Sequence, residues 1–161
     1  MPVHARVATD PIHPLLVEFP IVLYAATVAT LIGHAIGGDA SWYRAALYAS
    51  AASVVMAIVA VVPSIVDLVT LSPAPPVRAL GRRHAACNVA ALIVFSAAFA
   101  TILSNYVRTR QLGDTAPLVL ASIGLAAAIA AAWLGWAMML AARGPQPLSH
   151  ELVRRLPTPR R

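Results

Sequence analysis

The stretch Pro117–Ala142, PLVLASIGLAAAIAAAWLGWAMMLAA, decides the fold of this chain. A helix needs roughly 20 consecutive apolar residues to cross the hydrocarbon core of a bilayer, and this run supplies them. Working outward, Leu15–Ile36, Ala45–Val69 and Ala85–Val107 repeat the pattern. None of the four carries more than one acidic or basic residue before its closing turn. The intervening stretches Gly37–Arg44, Ser72–Arg83 and Arg108–Ala116 are short and polar or proline-rich. No alternation of apolar and polar residues competes, which argues against a transmembrane barrel.

The whole chain agrees. Of its 161 residues 60% are hydrophobic and 11% charged, with a mean hydropathy of +0.76. A soluble domain carries roughly twice that charged fraction, and this chain is too short of polar residues to cover so much apolar material in water. The reading is all-α: a polytopic membrane protein with four transmembrane helices in an up-down bundle. Its divisions are an N-terminal cytoplasmic segment over 1–10, a transmembrane domain over 11–145 and a basic cytoplasmic tail over 146–161. The helices are expected at about 14–36, 43–69, 80–107 and 116–142.

Orientation follows from the arginines, the chain having no lysine. One face receives Arg6, Arg78, Arg82, Arg83, Arg143, Arg154, Arg155, Arg160 and Arg161; the other has Arg44, Arg108 and Arg110. The positive-inside bias puts both ends in the cytoplasm of a cell with an inner (cytoplasmic) membrane. The net charge of +6 suits anionic lipid headgroups, and no soluble basic module is present that would bind nucleic acid. The first apolar run follows Asp10-Pro11 and contains Pro20, without a small-residue cleavage site, so it reads as a retained helix. The tail Leu148–Leu156 is expected to form a short surface helix capped by Ser149, followed by disorder over Pro157–Arg161.

The single cysteine, Cys87, excludes an internal disulfide and a thiolate-held metal cluster. The sequence contains no phosphate-binding loop, nucleophile elbow or HExxH motif. No motif assigns a reaction.

Ionisable residues in or beside membrane helices are costly and each asks for a reason. His13 precedes Pro14 at the mouth of the first helix, Glu18 lies about one turn further in, and Pro20 removes a backbone donor. Asp67 closes the second helix. His84 opens the third, with Asn88 four residues on and therefore on the same helix face. His13, Asp67, His84 and Asn88 thus come from three helices and are expected at one membrane depth on the cytoplasmic side. His34 ends the first helix at the opposite face with no second histidine to join it, and reads as an interfacial residue. His4 and His150 fall in terminal segments where solvation is the default. Trp133 and Trp136 read as packing or lipid-facing residues, and Trp42 and Tyr43 as an outer interfacial belt.

These residues resemble those of the bacterial membrane-protein family catalogued as domain of unknown function 2231. The likeness rests on His13-Pro-Leu-Leu-Val-Glu-Phe-Pro20, then Ser64 three before Asp67. It continues with Arg82-Arg83-His84 and Asn88, and ends with Leu134-Gly135 and Gly144. It spans roughly residues 10–145. The chain departs from the family pattern at Ser64, where relatives carry glycine, and at Trp136, which replaces a second glycine and could fill space that a bulky cofactor would need. The resemblance implies the four-helix fold. In some proteins related domains look to be joined to Rieske-type or cytochrome-type modules, so the resemblance implies redox work with a redox or other membrane-protein partner.

Three functions fit the cytoplasmic cluster. In the first, His13 and His84 ligate a haem b from diagonal helices. Ala85, Ala86, Ala90 and Ala91 leave room, and Arg78, Arg82 and Arg83 meet the propionates. In the second, His13, Asp67 and His84 hold a single divalent metal, with Asn88 or Glu18 behind them. In the third, the cluster is helix glue in a structural or accessory subunit of a membrane complex, with a homo-oligomer or another membrane protein as partner. A transporter would need oligomerisation to provide a pathway.

Overall fold

The structure, a computed structural model, describes residues 12–70, 75–109 and 112–143. Four long helices are present: α1 (Ile12–Gly37), α2 (Ala40–Thr70), α3 (Pro75–Ser104) and α4 (Ala116–Arg143). A π-helical turn, Asn105–Thr109, continues α3 toward the last connection. Among the described residues there is no strand. Each helix holds a segment long and apolar enough to cross a membrane: Phe19–Gly37, Ala40–Val61, Val77–Arg108 and Ala116–Ala141.

The helices stop where local chemistry stops them. Gly38 takes φ +69°, a left-handed conformation that glycine adopts without a Cβ penalty, and its N–H bonds the His34 carbonyl at 2.8 Å. Asp39 then caps α2, its carboxylate accepting from the Ser41 N–H at 2.8 Å. At the other connection the Asp114 carboxylate accepts from the Ala116 N–H at 3.0 Å, opening α4. Pro75 and Pro117 lie in the first turns of α3 and α4, where a missing N–H costs nothing. The third helix therefore starts about five residues before its expected start at 80. Its first turns include Arg78, Arg82 and Arg83, which a count of apolar residues leaves out.

The bundle is a ring in which α1 packs on α2 and α4, and α3 packs on α2 and α4. The α3–α4 seam is the broadest contact, and glycine makes it close. A Cβ at Gly124 would stand 2.9 Å from the Phe95 ring, and one at Gly135 would stand 3.1 Å from the His84 ring. Buried Ala91, Ala98, Ala121, Ala128 and Ala131 line the interior. Small residues let helix backbones approach where lipid offers no hydrophobic driving force. Across the middle, Tyr24 of α1 stacks on Phe95 of α3 with ring centroids 3.8 Å apart.

The buried threonine and serine hydroxyls of α1 and α2 are satisfied within their own helices. Thr27 donates to the Leu23 carbonyl at 2.9 Å, Ser50 to Leu47 at 2.9 Å and Ser53 to Ser50 at 2.7 Å. The outside is apolar instead: Val22, Tyr48, Ile93 and Trp133 are all well exposed. In water such a surface would be an aggregation hazard; in lipid it is the solvated face.

Candidate functional site

Polar side chains gather at the two ends of the bundle. The first group is on α3. His84 is the tenth residue of the helix counted from Pro75, about 14 Å along its axis at 1.5 Å per residue. It is thus well inside the helix and does not open it, because the proline start moved the helix boundary outward. Its Nδ1 lies 2.7 Å from the Ala131 carbonyl of α4. A carbonyl can only accept, so Nδ1 carries the proton. Nε2 is then the lone-pair nitrogen, and the Asn88 side-chain amide donates to it at 2.9 Å. Asn88 sits one turn along the same helix, as the spacing of four predicts. Both ring nitrogens are used and the tautomer is set by its partners.

Gly135 makes this contact available. Its missing side chain lets the imidazole lie on the α4 backbone, where a Cβ would meet the ring at 3.1 Å. Arg82 and Arg83, the two residues before His84, are exposed. Of the other expected members, His13 and Glu18 belong to α1 and Asp67 to α2, but their side chains lie outside the described residues. So do the tail helix over Leu148–Leu156, His4, His150 and Gly144. Among the described residues no group of three or more His, Cys, Asp or Glu is placed to hold a metal ion. Trp136 faces outward with 57% of its surface exposed, in a tilted contact with Trp133, so it takes no space from the interior.

The opposite end adds to one expectation and corrects another. His34 has no second histidine beside it, but its Nδ1 lies 2.9 Å from the Asp39 carbonyl and its Nε2 lies 3.0 Å from the Leu112 carbonyl. It joins the α1–α2 turn to the α3–α4 connection. Tyr43 is not an interfacial belt residue but is buried, at 1% exposure, with its ring edge-on to His34 at 5.1 Å. Its ring also stacks on Tyr106 at 6.4 Å, and its hydroxyl lies beside Asn105 without a well-formed hydrogen bond.

Asn105, the first residue of the π-helical turn and nearly fully buried, donates its amide to the Asp114 carboxylate at 2.9 Å. Single π-turns inside helices are frequent at functional sites; here the widened turn carries the asparagine that grips the loop. The Ala116 N–H and then the Asn105 amide hold the Asp114 carboxyl below its ordinary range. The Ser41 backbone N–H, foremost, lowers Asp39 in the same way.

Counting histidines alone hides this second group. The available signal was a polar residue in every segment meeting at that end: His34, Asp39, Asn105 and Asp114.

The four spanning helices and the His84–Asn88 spacing meet a matching family. The chain fits the family described as "Predicted membrane protein (DUF2231)" over residues 9–143. It belongs to that family. The match takes in all four helices and both polar groups, so the member described here is a multi-pass membrane protein. No curated protein and no solved structure matches the chain.

Proposed function

We propose that this family member is a structural or accessory subunit of a membrane complex, with His84 as a fixed tie between α3 and α4. The observation behind the reading is the use of both His84 nitrogens by groups of the bundle itself, Ala131 and Asn88. Haem or metal ligation through Nε2 would require the Asn88 amide to leave. Interhelical hydrogen bonds of this kind contribute roughly 0.6–2 kcal/mol each in membrane proteins, the scale of helix glue.

The arginine bias supports an inner-membrane setting with both chain ends in the cytoplasm, so that the His84 end faces inward. Arg82 and Arg83 then lie exposed where anionic headgroups are found. A redox complex is the partner class that the family resemblance favours.

The test is an absorption spectrum of the untagged, detergent-purified protein, oxidised and reduced, with elemental analysis of the same sample. A colourless, metal-free and folded protein that loses thermal stability in His84→Ala supports the reading. A sharp b-type band on reduction, or stoichiometric metal lost in His84→Ala, would replace the tie with a ligand. For the subunit role, native electrophoresis of gently solubilised membranes should place the chain in a larger assembly; migration as a bare bundle counts against it.

A further inference from the structure

The two nitrogens of His34 face two carbonyl oxygens, those of Asp39 and Leu112, at 2.9 and 3.0 Å. Neither carbonyl can donate. A neutral imidazole has one N–H and one lone pair, whereas an imidazolium has two N–H groups. Both contacts are hydrogen bonds only when the ring is protonated. In the neutral ring, one nitrogen lone pair is held against a carbonyl oxygen at hydrogen-bond distance, which is repulsive. We infer that His34 is a proton-binding latch: protonated, it ties the α1–α2 turn to the α3–α4 connection, and neutral, it releases one of them.

The surroundings fit a site that gains and loses a proton. On the α1–α2 turn, the Asp39 carboxylate is close enough for its charge and that of His34 to interact. From α2, exposed Arg44 acts on the same carboxylate and Tyr43 meets the ring edge-on. From the π-helical turn come Asn105 and Tyr106, the latter stacked on Tyr43. From the α3–α4 connection comes Asp114, held by Asn105. The Asp39 carboxylate acts on the histidine directly while that of Asp114 acts on Tyr43, and His34 is only partly buried, so solvent protons reach it.

Histidine is the side chain best suited to bind and release a proton near neutral pH. The latch therefore holds with the proton bound and opens when it is lost. Each segment also has a tie of its own: the α1–α2 turn is held by Gly38 and the Asp39 cap, and the α3–α4 connection by the grip of Asn105 on Asp114. With the orientation proposed above, the latch reads the pH on the non-cytoplasmic side.

The test uses the full chain in lipid nanodiscs. Histidine isotope-labelled in the ring reports by nitrogen NMR whether each imidazole is singly or doubly protonated, with His34→Gln assigning the signal. Spin labels at Gly37→Cys and Gly113→Cys, in a Cys87→Ser background, report the distance across the latch. Neither position has an atom within 4 Å of an added Cβ, so both tolerate the label. The expected result is a doubly protonated His34 near pH 5.5 with one narrow distance distribution. Near pH 8 the ring should be neutral, the distribution broad and the closed population roughly tenfold lower, the weight of one charged hydrogen bond. His34→Gln should abolish the pH response of the distance. A His34 ring singly protonated across the whole range, or an identical pH response in His34→Gln, would overturn the latch.

Discussion

His84 and His34 each have both ring nitrogens engaged, at opposite ends of one bundle, yet they are different devices. His84 stands between an acceptor, the Ala131 carbonyl, and a donor, the Asn88 amide. That pair matches a neutral imidazole, and protonation would set an N–H against an NH2. His34 stands between two acceptors and matches an imidazolium. The difference lies in what the neighbours can give or take. A histidine in a membrane protein is read from its two partners, and a hydrogen-bond count alone would make these two equal.

The comparison is broken most severely at His84. His84→Ala removes the ring, its interhelical tie to Ala131, its bond to Asn88 and the packing against Gly135, and should cost about 2–4 kcal/mol. Thermal unfolding in detergent at constant pH should show it more damaging than His34→Ala. The reverse order would mean that the His34 end carries the greater share of stability. Gly135→Ala acts on the same contact from the other side. Its Cβ, 3.1 Å from the imidazole, makes a ring pinned at the Ala131 carbonyl give by a few tenths of an ångström, at about 1–3 kcal/mol. A variant as stable as the parent would show that the seam has slack.

A subtler change would make one end resemble the other. Asn88→Asp replaces the donor at Nε2 with an acceptor, giving His84 the partner set that His34 has. Ring-nitrogen NMR should then show an N–H at both ring positions of His84. If His84 remains neutral, the donor–acceptor argument fails for both histidines. Asn88→Ala alone should cost about 1 kcal/mol and leave the Nδ1 tie in place.

The smallest expected effect is at the capping carboxylates. Asp114 and Asp39 are both held below the ordinary carboxylate range by backbone N–H groups, with the Asn105 amide adding to Asp114. A lowered carboxyl contributes stability above the ordinary value of about 3.9, and loses it as pH falls through its own lower value. An acid titration of unfolding should therefore show a limb below about pH 4. Asp114→Asn should shrink that limb without removing the part due to Asp39. An unchanged limb would place the acid sensitivity elsewhere.

Much of this could be read from residue order. Gly38 and Asp39 announce a helix stop and a helix start, and the four-residue step from His84 to Asn88 announces a shared face. The α3 start was hidden because Pro75 and the arginines after it do not look like a span, though Pro75 suits a first turn. Tyr43 was misplaced because a tyrosine beside Trp42 near a span end fits an aromatic belt. Only packing against His34 and Tyr106 buries it. His34 was undervalued because its partners are backbone carbonyls, which no residue type marks.

The sequence by itself determined that this is a four-span helical membrane protein, because apolar length and charge placement are one-dimensional properties that a bilayer reads directly. It also determined which side chains can hold a proton. The tertiary structure decided which of them must. A histidine's protonation follows from whether the atoms facing Nδ1 and Nε2 donate or accept, and those atoms, Ala131 O, Asn88 Nδ2, Asp39 O and Leu112 O, come together only when the helices pack.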